Sequence, residues 1–184
     1  MDKNEGVFFE IEFEKRFCYN GERIGNIRTG RLEKQEEKSF MKIADKTEFE
    51  RQNIFGTGDP NVAFAQYFHG QSYLNPLTDP SRCSVFLANV TFEPGCRNNW
   101  HIHHAKSGGG QLLICTAGSG WYQEEGKKAV SLEPGMVVTI PPEVKHWHGA
   151  KADSYFSHIA AEIPGEDCGN EWLEPVTDEE YSVL

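Results

Sequence analysis

Apolar and polar residues alternate through the second half of the chain. The segment SVFLANVTFEPG begins at Ser84 and ends in a Pro-Gly turn, and SYFSHIAAEI covers residues 154–163. Successive side chains of a strand point to opposite faces, so both segments are predicted to be strands. Strands at this spacing, without intervening helices, predict a β-sandwich or a barrel. Turn signals lie between them at Gly118–Gly120, Glu125-Gly126, Pro134-Gly135 and Pro141-Pro142.

The N-terminal part of the chain shows a separate pattern. Residues 7–17, VFFEIEFEKRF, alternate large apolar and charged residues, and Asn20-Gly21 is a strong tight-turn signal. Residues 7–28 are therefore predicted to form a β-hairpin. The almost fully charged residues 31–38 indicate a solvated linker or a short exposed helix.

Two shorter segments carry helix signals. Residues 45–52, DKTEFERQ, are compatible with one helical turn or with a strand. After Pro175, the sequence TDEEY predicts a short C-terminal helix with Thr177 as its N-cap. The chain is therefore divided into residues 1–50, an extension of unknown role, and residues 51–184, a β domain with a C-terminal tail.

Charge and composition restrict the possible partners. The 184 residues carry a formal net charge of −10 without a local cluster of Lys and Arg, which disfavours nucleic acid and anionic membranes. The apolar runs are far shorter than the roughly 20 residues that cross a bilayer. The N-terminal residues also lack the apolar core of a signal peptide. A cytoplasmic protein without nucleic-acid or membrane partners is therefore expected.

The cysteines do not indicate a disulfide framework. Their number is odd, they are widely spaced, and none forms a C-x-x-C pair. Buried, reduced thiols are expected instead. The five are Cys18, Cys83, Cys96, Cys115 and Cys168.

Histidines recur on the predicted strands at a spacing of two. His101 and His103 share one strand face, and His146 and His148 share a face of a later strand. His158 adds a third histidine-bearing strand face, which also carries the side chains Phe156, Ala160 and Glu162. A barrel that turned these faces inward would gather the imidazoles in one pocket, where they could bind a metal ion.

Two other histidines are expected to be outside this group. His69 stands alone in YFHGQ and is interpreted as structural. His104 has the opposite strand parity to His103, so it is expected to point outward or to lie at the barrel rim. The tryptophans Trp100 and Trp147 also face away from the paired histidines by parity and are expected to pack in a core or an interface.

The histidine segments resemble the two signature motifs of the cupin superfamily. Gly95, His101, His103 and Gly118 are spaced as in the first motif, and Gly135, Pro141 and His146 as in the second. The resemblance implies a double-stranded β-helix, or jelly-roll barrel, with its core at residues 80–164. It also implies one divalent transition metal, held by His101, His103 and His146, with Gln111 where most cupins have glutamate.

One spacing departs from the motif. Seven residues separate His103 from Gln111, where three or four are usual. The glycine run Gly108–Gly110 is expected to absorb the insertion as a bulged loop, because glycine tolerates positive φ. The six residues between Gln111 and Gly118 keep the end of the motif in register, which favours Gln111 as the fourth ligand.

Residues from about Tyr67 to Tyr181 are similar to small bacterial cupins that include manganese-dependent hydroxynitrile lyases and cupins associated with carboxymuconolactone decarboxylases. This similarity implies manganese, although iron, nickel, cobalt and zinc are also compatible with the ligands. It also implies His158 and His148 as catalytic residues of the pocket. Glu162 stands where these lyases have a glutamine, and Phe156 lies on the same strand face.

The expected function is cleavage of a C–C bond in a small hydroxy or carbonyl compound, after metal-assisted loss of a proton to His158. An iron-dependent dioxygenase and a non-catalytic cupin that binds or senses a small molecule are the alternatives. Small cupins of this kind commonly pair, so a homodimer is expected, and the strands predicted at residues 7–28 could form its interface.

Overall fold

The structure is a computed structural model that describes residues 42–184. The hairpin at residues 7–28 and the linker at residues 31–38 lie outside the described residues. Residues 45–52, for which the sequence left two alternatives open, form a helix, α1 (Lys46–Gln52). It begins at Asp45, whose carboxylate accepts a hydrogen bond of 2.8 Å from the backbone N–H of Glu48, and such a cap favours a helix at this position.

The C-terminal helix α2 (Asp178–Ser182) is confirmed, and it begins at the predicted cap. The Thr177 hydroxyl accepts from the Glu180 backbone N–H, and the Glu180 carboxylate accepts from the Thr177 N–H. This reciprocal pair is a capping box. Within the described part of the chain, no helix is long and apolar enough to cross a membrane.

The remaining regular elements of the described residues are strands and a single 3-10 turn at Ala65–Tyr67. The strands are β1 (Asp59–Pro60), β2 (Phe68–His69), β3 (Ser72–Pro76), β4 (Phe86–Phe92), β5 (Arg97–Asn98), β6 (His101–His104), β7 (Ser107–Gly108), β8 (Gln111–Gly118), β9 (Gly120–Glu124), β10 (Val130–Leu132), β11 (Val137–Ile140), β12 (His146–Ala150), β13 (Phe156–Glu162), β14 (Gly165–Glu166) and β15 (Gly169–Trp172).

Two antiparallel sheets enclose one core. The first has the order β1-β3-β4-β13-β8-β11. The second has the order β10-β9-β12-β5-β2, and β6 pairs with β12 on one side and with β15 on the other. The core draws side chains from both sheets, among them Phe92, Leu113 and Phe156 from the first and Tyr122 and Leu132 from the second. This arrangement confirms the predicted jelly-roll barrel.

The insertion in the first motif forms structure of its own. Strand β7 pairs with β14 in a separate two-stranded sheet. Gly108, Gly109 and Gly110 all have positive φ, between 63° and 87°. A Cβ on Gly110 would lie 2.3 Å from the carbonyl oxygen of Ile140, so this position requires glycine for both its φ and its close backbone approach.

Strand β13 runs from the core, at Phe156, to the cavity, at Glu162. Phe156 is paired with Phe92 and is fully buried in the core, whereas Glu162 is paired with Phe86, which is partly exposed. The residues that share this face therefore lie at different depths. His158 is as deeply buried as Phe156.

A second cluster packs on the outside of the sheet that carries the histidines. Trp100, Trp147 and Val176 are buried together, which agrees with the parity prediction for the two tryptophans. The buried Arg97 attaches the C-terminal segment here, because its guanidinium donates to the carbonyl oxygen of Val176 and pairs with Asp178. The segment that follows the barrel is thereby held against it.

Among the described cysteines, Cys96 and Cys115 are buried, as expected, and the pKa of each thiol is raised to about 12 by burial. The expectation is wrong for Cys83 and Cys168, which are exposed. Both lie in the connections outside the barrel core, where there is no apolar interior to cover them.

Candidate metal centre

Strand pairing brings the histidines of the two motifs together. His101 on β6 lies opposite His146 on β12, and their ring centroids are 4.1 Å apart. His103 completes the group, with its ring centroid 5.2 Å from that of His101 and 5.4 Å from that of His146. All three are buried, whereas Ile102 and His104 of the same strand are partly exposed, so the period of two has the predicted parity.

Each of these three imidazoles uses its Nδ1 atom in the same way. The Nδ1–H groups of His101 and His146 donate to backbone carbonyl oxygens, of Asn99 and Val144, at 2.9 Å each. The Nδ1–H group of His103 donates to Oδ1 of Asn170 at 2.8 Å. Since a neutral imidazole has one N–H, these bonds leave Nε2 of each ring with a free lone pair, which is the form that binds a metal.

Three buried atoms of the centre have no hydrogen-bond partner. They are Nε2 of His103, Nε2 of His146 and Oε1 of Gln111. Leaving a buried polar atom unpaired costs about 1–3 kcal/mol, so a cluster of such atoms indicates the place of an absent ligand. Imidazole nitrogens and a carboxamide oxygen fit a divalent transition metal.

Glu162 holds Gln111 in this orientation. Its Oε1 atom accepts from Nε2 of Gln111 at 2.8 Å, and its Oε2 atom lies 3.2 Å from Nδ1 of His103. An ionised carboxylate only accepts hydrogen bonds, so it selects the amide NH₂ and leaves Oε1 of Gln111 free. Burial by itself raises the pKa of Glu162, but the hydrogen bonds from His103 and Gln111 outweigh it and hold the pKa below its usual value.

His148 and His158, the other two buried histidines, form a pair beside this group. His158 Nε2 lies 3.1 Å from Nδ1 of His148, and the rings meet edge to face. Asn98 fixes His148 from the other side, because its Oδ1 accepts from the His148 backbone N–H and its Nδ2 lies 3.1 Å from Nε2 of the ring. One ring atom of the pair, Nδ1 of His158, has no partner.

A second set of possible ligand atoms overlaps the first. Ring nitrogens of His101, His146 and His148 lie within 4.8 Å of one another. Both ring nitrogens of His148, however, already have partners in Asn98 and His158, whereas Nε2 of His103 has none. The free lone pairs therefore favour His103 over His148 as the third imidazole ligand.

Burial favours the neutral form of four imidazoles in and beside the centre. It lowers the pKa of His146 and of His158 to about 4. Burial, followed by the charges of neighbouring histidines, also lowers the pKa of His101 and His148 well below the usual value. Neutral imidazole is the form that binds a metal or accepts a proton near pH 7.

The centre borders a cavity of about 240 Å³. His101, His103, Gln111 and His148 contribute its polar side, together with Glu162. Its other walls are mainly apolar and include Phe64, Phe68, Leu74, Phe86, Val90 and Trp172. A mostly apolar pocket with a few convergent polar groups is typical of a small-molecule site.

Two residues expected at the pocket lie behind its wall. Phe156 and His158 are not among the cavity-lining residues, and both are fully buried. Phe156 packs on Phe92 in the core, and His158 is linked to the cavity through its hydrogen bond to His148. The shared strand face is correct, but strand parity gives no depth.

Two predicted exceptions lie away from the centre. His104 is on the opposite face of β6, where it bonds Glu143 and Glu171 near the surface. Its pKa is raised by the hydrogen bonds to Glu171 and Glu143. His69 is exposed on β2.

Sequence reasoning did not identify three residues that contact the histidines. Asn98 and Asn170 hydrogen-bond to His148 and His103, and Trp172 stacks on His101. Counting by two places Asn98 on the face of Trp100, away from the histidines, so alternation gives no signal for Asn98. The register of β15 against β6 is a long-range pairing, and it has no local sequence signal.

Known proteins resemble this chain along most of the described region. A family model described as a cupin domain matches residues 88–159. The (R)-mandelonitrile lyase of Granulicella tundricola is 42% identical over 118 residues, which cover 64% of this chain and 87% of the relative. A cupin-like protein of known structure from Thermotoga maritima is 40% identical, with a TM-score of 0.61, and the match covers 71% of this chain and 95% of that one. A cupin 2 conserved barrel domain protein from Rhodopseudomonas palustris is 16% identical, with a TM-score of 0.50 over 68% of this chain and 81% of its own, and this likeness concerns the fold alone.

Proposed function

This chain belongs to the cupin superfamily, and we propose that it is a metal-dependent lyase acting on small α-hydroxynitriles. The proposed ligands are His101, His103, Gln111 and His146, and the proposed cofactor is one divalent transition metal. Manganese is the first candidate, followed by iron, nickel, cobalt and zinc. The observation that carries the proposal is the set of partnerless buried ligand atoms beside an apolar cavity.

The relative with a lyase name supports the choice of reaction class. The (R)-mandelonitrile lyase shares 42% identity with this chain, and the chain covers 87% of its length. When bound, the metal would act as a Lewis acid that lowers the pKa of a substrate hydroxyl. Because all four ligands are uncharged, no ligand charge would offset that of the ion.

In this proposal Nε2 of His148 exchanges its hydrogen bond with Asn98 for one with the substrate hydroxyl. His148 is the base, because it lines the cavity. It accepts the hydroxyl proton of the substrate, and the electron pair of the O–H bond forms the carbonyl. As the carbonyl forms, the C–C bond to the nitrile breaks with its electron pair on cyanide, and His148 returns the proton to give HCN. His158 acts through its hydrogen bond of 3.1 Å to Nδ1 of His148, which orients the ring and provides a second acceptor for the proton.

The apolar walls serve the same reaction. Phe64, Phe68 and Phe86 line the cavity, and they would surround the organic part of the substrate while excluding water. This leaves the polar groups on one side of the cavity to contact the hydroxyl and nitrile groups. The substrate proposed is therefore small and apolar apart from those two groups.

Release of benzaldehyde from mandelonitrile tests the proposal directly. Protein loaded with manganese is expected to release benzaldehyde, followed by its ultraviolet absorbance, and chelation of the metal is expected to abolish the release. His148→Phe is expected to lose activity but to retain metal in elemental analysis. His69→Gln, which changes an exposed histidine outside the cavity, serves as the control and should keep wild-type activity.

One outcome would contradict the lyase, and another would contradict only its base. One is a metal-loaded protein that cleaves neither enantiomer of mandelonitrile above the uncatalysed rate. The other is full activity in His148→Phe, which would remove the base assignment. Oxygen consumption by the iron-loaded protein would instead support the dioxygenase alternative.

A further inference from the structure

Strand β15 lies against the metal-binding strand but outside the segment that matches the cupin model. It covers Gly169–Trp172, and the match ends at residue 159. In the register of β15 with β6, Asn170 is opposite His103 and Trp172 is opposite His101. Residues two apart share a strand face, so this strand presents one side chain to each of two proposed ligands.

Asn170 determines which nitrogen of His103 faces the other ligands. Its Oδ1 atom accepts from Nδ1 of His103 at 2.8 Å. Oε2 of Glu162 is a second acceptor for the same N–H, at the longer distance of 3.2 Å. With Nδ1 protonated and held, Nε2 of His103 carries the lone pair, and it is one of the buried atoms without a partner.

Trp172 constrains the ring of His101. The two rings stack with their centroids 4.8 Å apart and an interplanar angle of 28°. The indole also stacks on Tyr67, with a centroid distance of 4.7 Å and an interplanar angle of 5°. His101 therefore has its Nδ1–H bonded to Asn99 and one ring face covered, which fixes the direction of Nε2.

The chain that directly follows β15 is fastened to the barrel. The Leu173 N–H donates to the carbonyl oxygen of Trp100, and the Trp100 N–H donates to that of Glu174. Further on, Arg97 donates to the Val176 carbonyl oxygen at 3.1 Å. Because the chain after β15 is fastened in this way, the side chains of β15 keep well-defined positions.

We propose that Asn170 and Trp172 are positioning residues of the metal centre, which set the tautomer of His103 and the ring plane of His101, and that metal binding in turn stabilises the docking of β15. The inference rests on the metal centre proposed above but not on the lyase reaction. Residues that orient metal-ligating histidines typically affect metal affinity by about 10- to 100-fold. Coupling between binding and docking is reciprocal by linkage.

Manganese affinity tests the two residues. Apoprotein is titrated with Mn(II), and the free ion is measured from its electron paramagnetic resonance signal. Asn170→Leu is expected to weaken binding about tenfold or more, whereas Asn170→Asp keeps an acceptor oxygen and should restore affinity to near the wild-type value. Trp172→Ala should weaken binding more than Trp172→Phe, which retains an aromatic face.

Glu171→Gln is the matched control. Glu171 lies between the two residues on β15, but its carboxylate points to the other face and bonds His104. Its substitution should leave manganese affinity unchanged. An equal loss of affinity in Glu171→Gln and Asn170→Leu would show that any disturbance of the strand suffices, and it would overturn the specific role of Asn170.

Hydrogen exchange of the wild-type protein tests the coupling without any substitution, and so decides the matter even if Asn170→Leu fails to fold. Manganese is expected to slow exchange in peptides that contain residues 169–173, measured by mass spectrometry. Unchanged exchange there, or Asn170→Leu binding manganese as tightly as the wild type, would overturn the proposal. Since neither measurement involves turnover, a failed lyase assay leaves it standing, whereas a wild-type protein that binds no divalent metal removes the centre itself.

Discussion

Two groups of buried polar side chains lie on opposite sides of the first sheet, and only one of them is complete. The asparagine network consists of Asn53, Asn89, Thr91 and Ser157, all buried. Nδ2 of Asn89 donates to Oδ1 of Asn53 and to the Gly56 carbonyl oxygen, and Oδ1 of Asn89 accepts from the Ser157 hydroxyl at 2.8 Å. Nδ2 of Asn53 donates to the Thr91 hydroxyl. No side-chain atom of this network is without a partner.

The metal centre is as deeply buried but leaves ligand atoms unpaired. Nε2 of His103, Nε2 of His146 and Oε1 of Gln111 have no partner, although the opposite end of each side chain is hydrogen-bonded. Each buried donor or acceptor atom of a side chain needs its own hydrogen-bond partner. The fold therefore supplies every hydrogen-bond partner that the asparagine network needs, whereas the metal centre holds ligand atoms for which the described chain supplies no partner.

The largest effect is expected from breaking the network. Leucine is similar in volume to asparagine, but Asn89→Leu removes one hydrogen-bond partner each from Asn53, Gly56 and Ser157. The free energy of unfolding should therefore fall by about 3 kcal/mol or more. Urea denaturation measures this. Asn75→Leu is the control, because Asn75 lies opposite Asn89 on the adjacent strand and makes one exposed hydrogen bond. Equal losses of unfolding free energy in Asn89→Leu and Asn75→Leu would contradict the distinction between the buried network and an exposed hydrogen bond.

Metal loading should produce the next largest effect. A ligand that binds only the folded state adds about 2.7 kcal/mol at a free concentration 100 times its dissociation constant. Manganese should therefore raise the unfolding midpoint of the wild-type protein and leave that of His146→Ala unchanged. Calorimetry of both proteins, with and without metal, measures the difference. A shift of equal size in His146→Ala would place the metal elsewhere.

A smaller effect is expected when the metal centre is filled with hydrocarbon in the absence of metal. His146→Leu removes a buried nitrogen that has no partner, which stabilises the apoprotein, and also the hydrogen bond from Nδ1 to the Val144 carbonyl oxygen, which destabilises it. The two effects oppose each other, so the stability of the apoprotein should change by about 1 kcal/mol or less, in contrast to Asn89→Leu. The same urea experiment compares them. A loss as large as that of Asn89→Leu would mean that the imidazole of His146 is needed for the fold itself.

The smallest effect is expected at the surface. The pKa of His104 is raised by the hydrogen bonds to Glu171 and Glu143, so its stabilising contribution is fully present below the usual histidine pKa. It is lost as the pH rises through the raised value. His104→Gln should therefore lower the unfolding midpoint slightly at pH 5.5 and not at pH 9. A difference that grows at high pH would have the wrong sign.

The sequence predicted the parts of this molecule that depend on local periodicity. The strand faces of His101 and His103, the cap at Thr177 and a β-sandwich or barrel follow from spacing and turn residues. The jelly roll in particular was implied by the resemblance to cupins. The depth of the residues along β13 could not be predicted, because alternation assigns Phe156 and Glu162 to one face without stating which of them lies in the core. Asn170 and Trp172 were also missed, since their contacts depend on pairing between β6 and β15, more than sixty residues apart.

The inserted residues between His103 and Gln111 are folded away in the small sheet of β7 and β14, outside the barrel. A chain of this family can therefore lengthen its first motif without moving the side chains at either end of the gap. Searches that require a fixed count of residues between histidine and the fourth donor will overlook such members. A search based on the spatial register of the two strands would recover them.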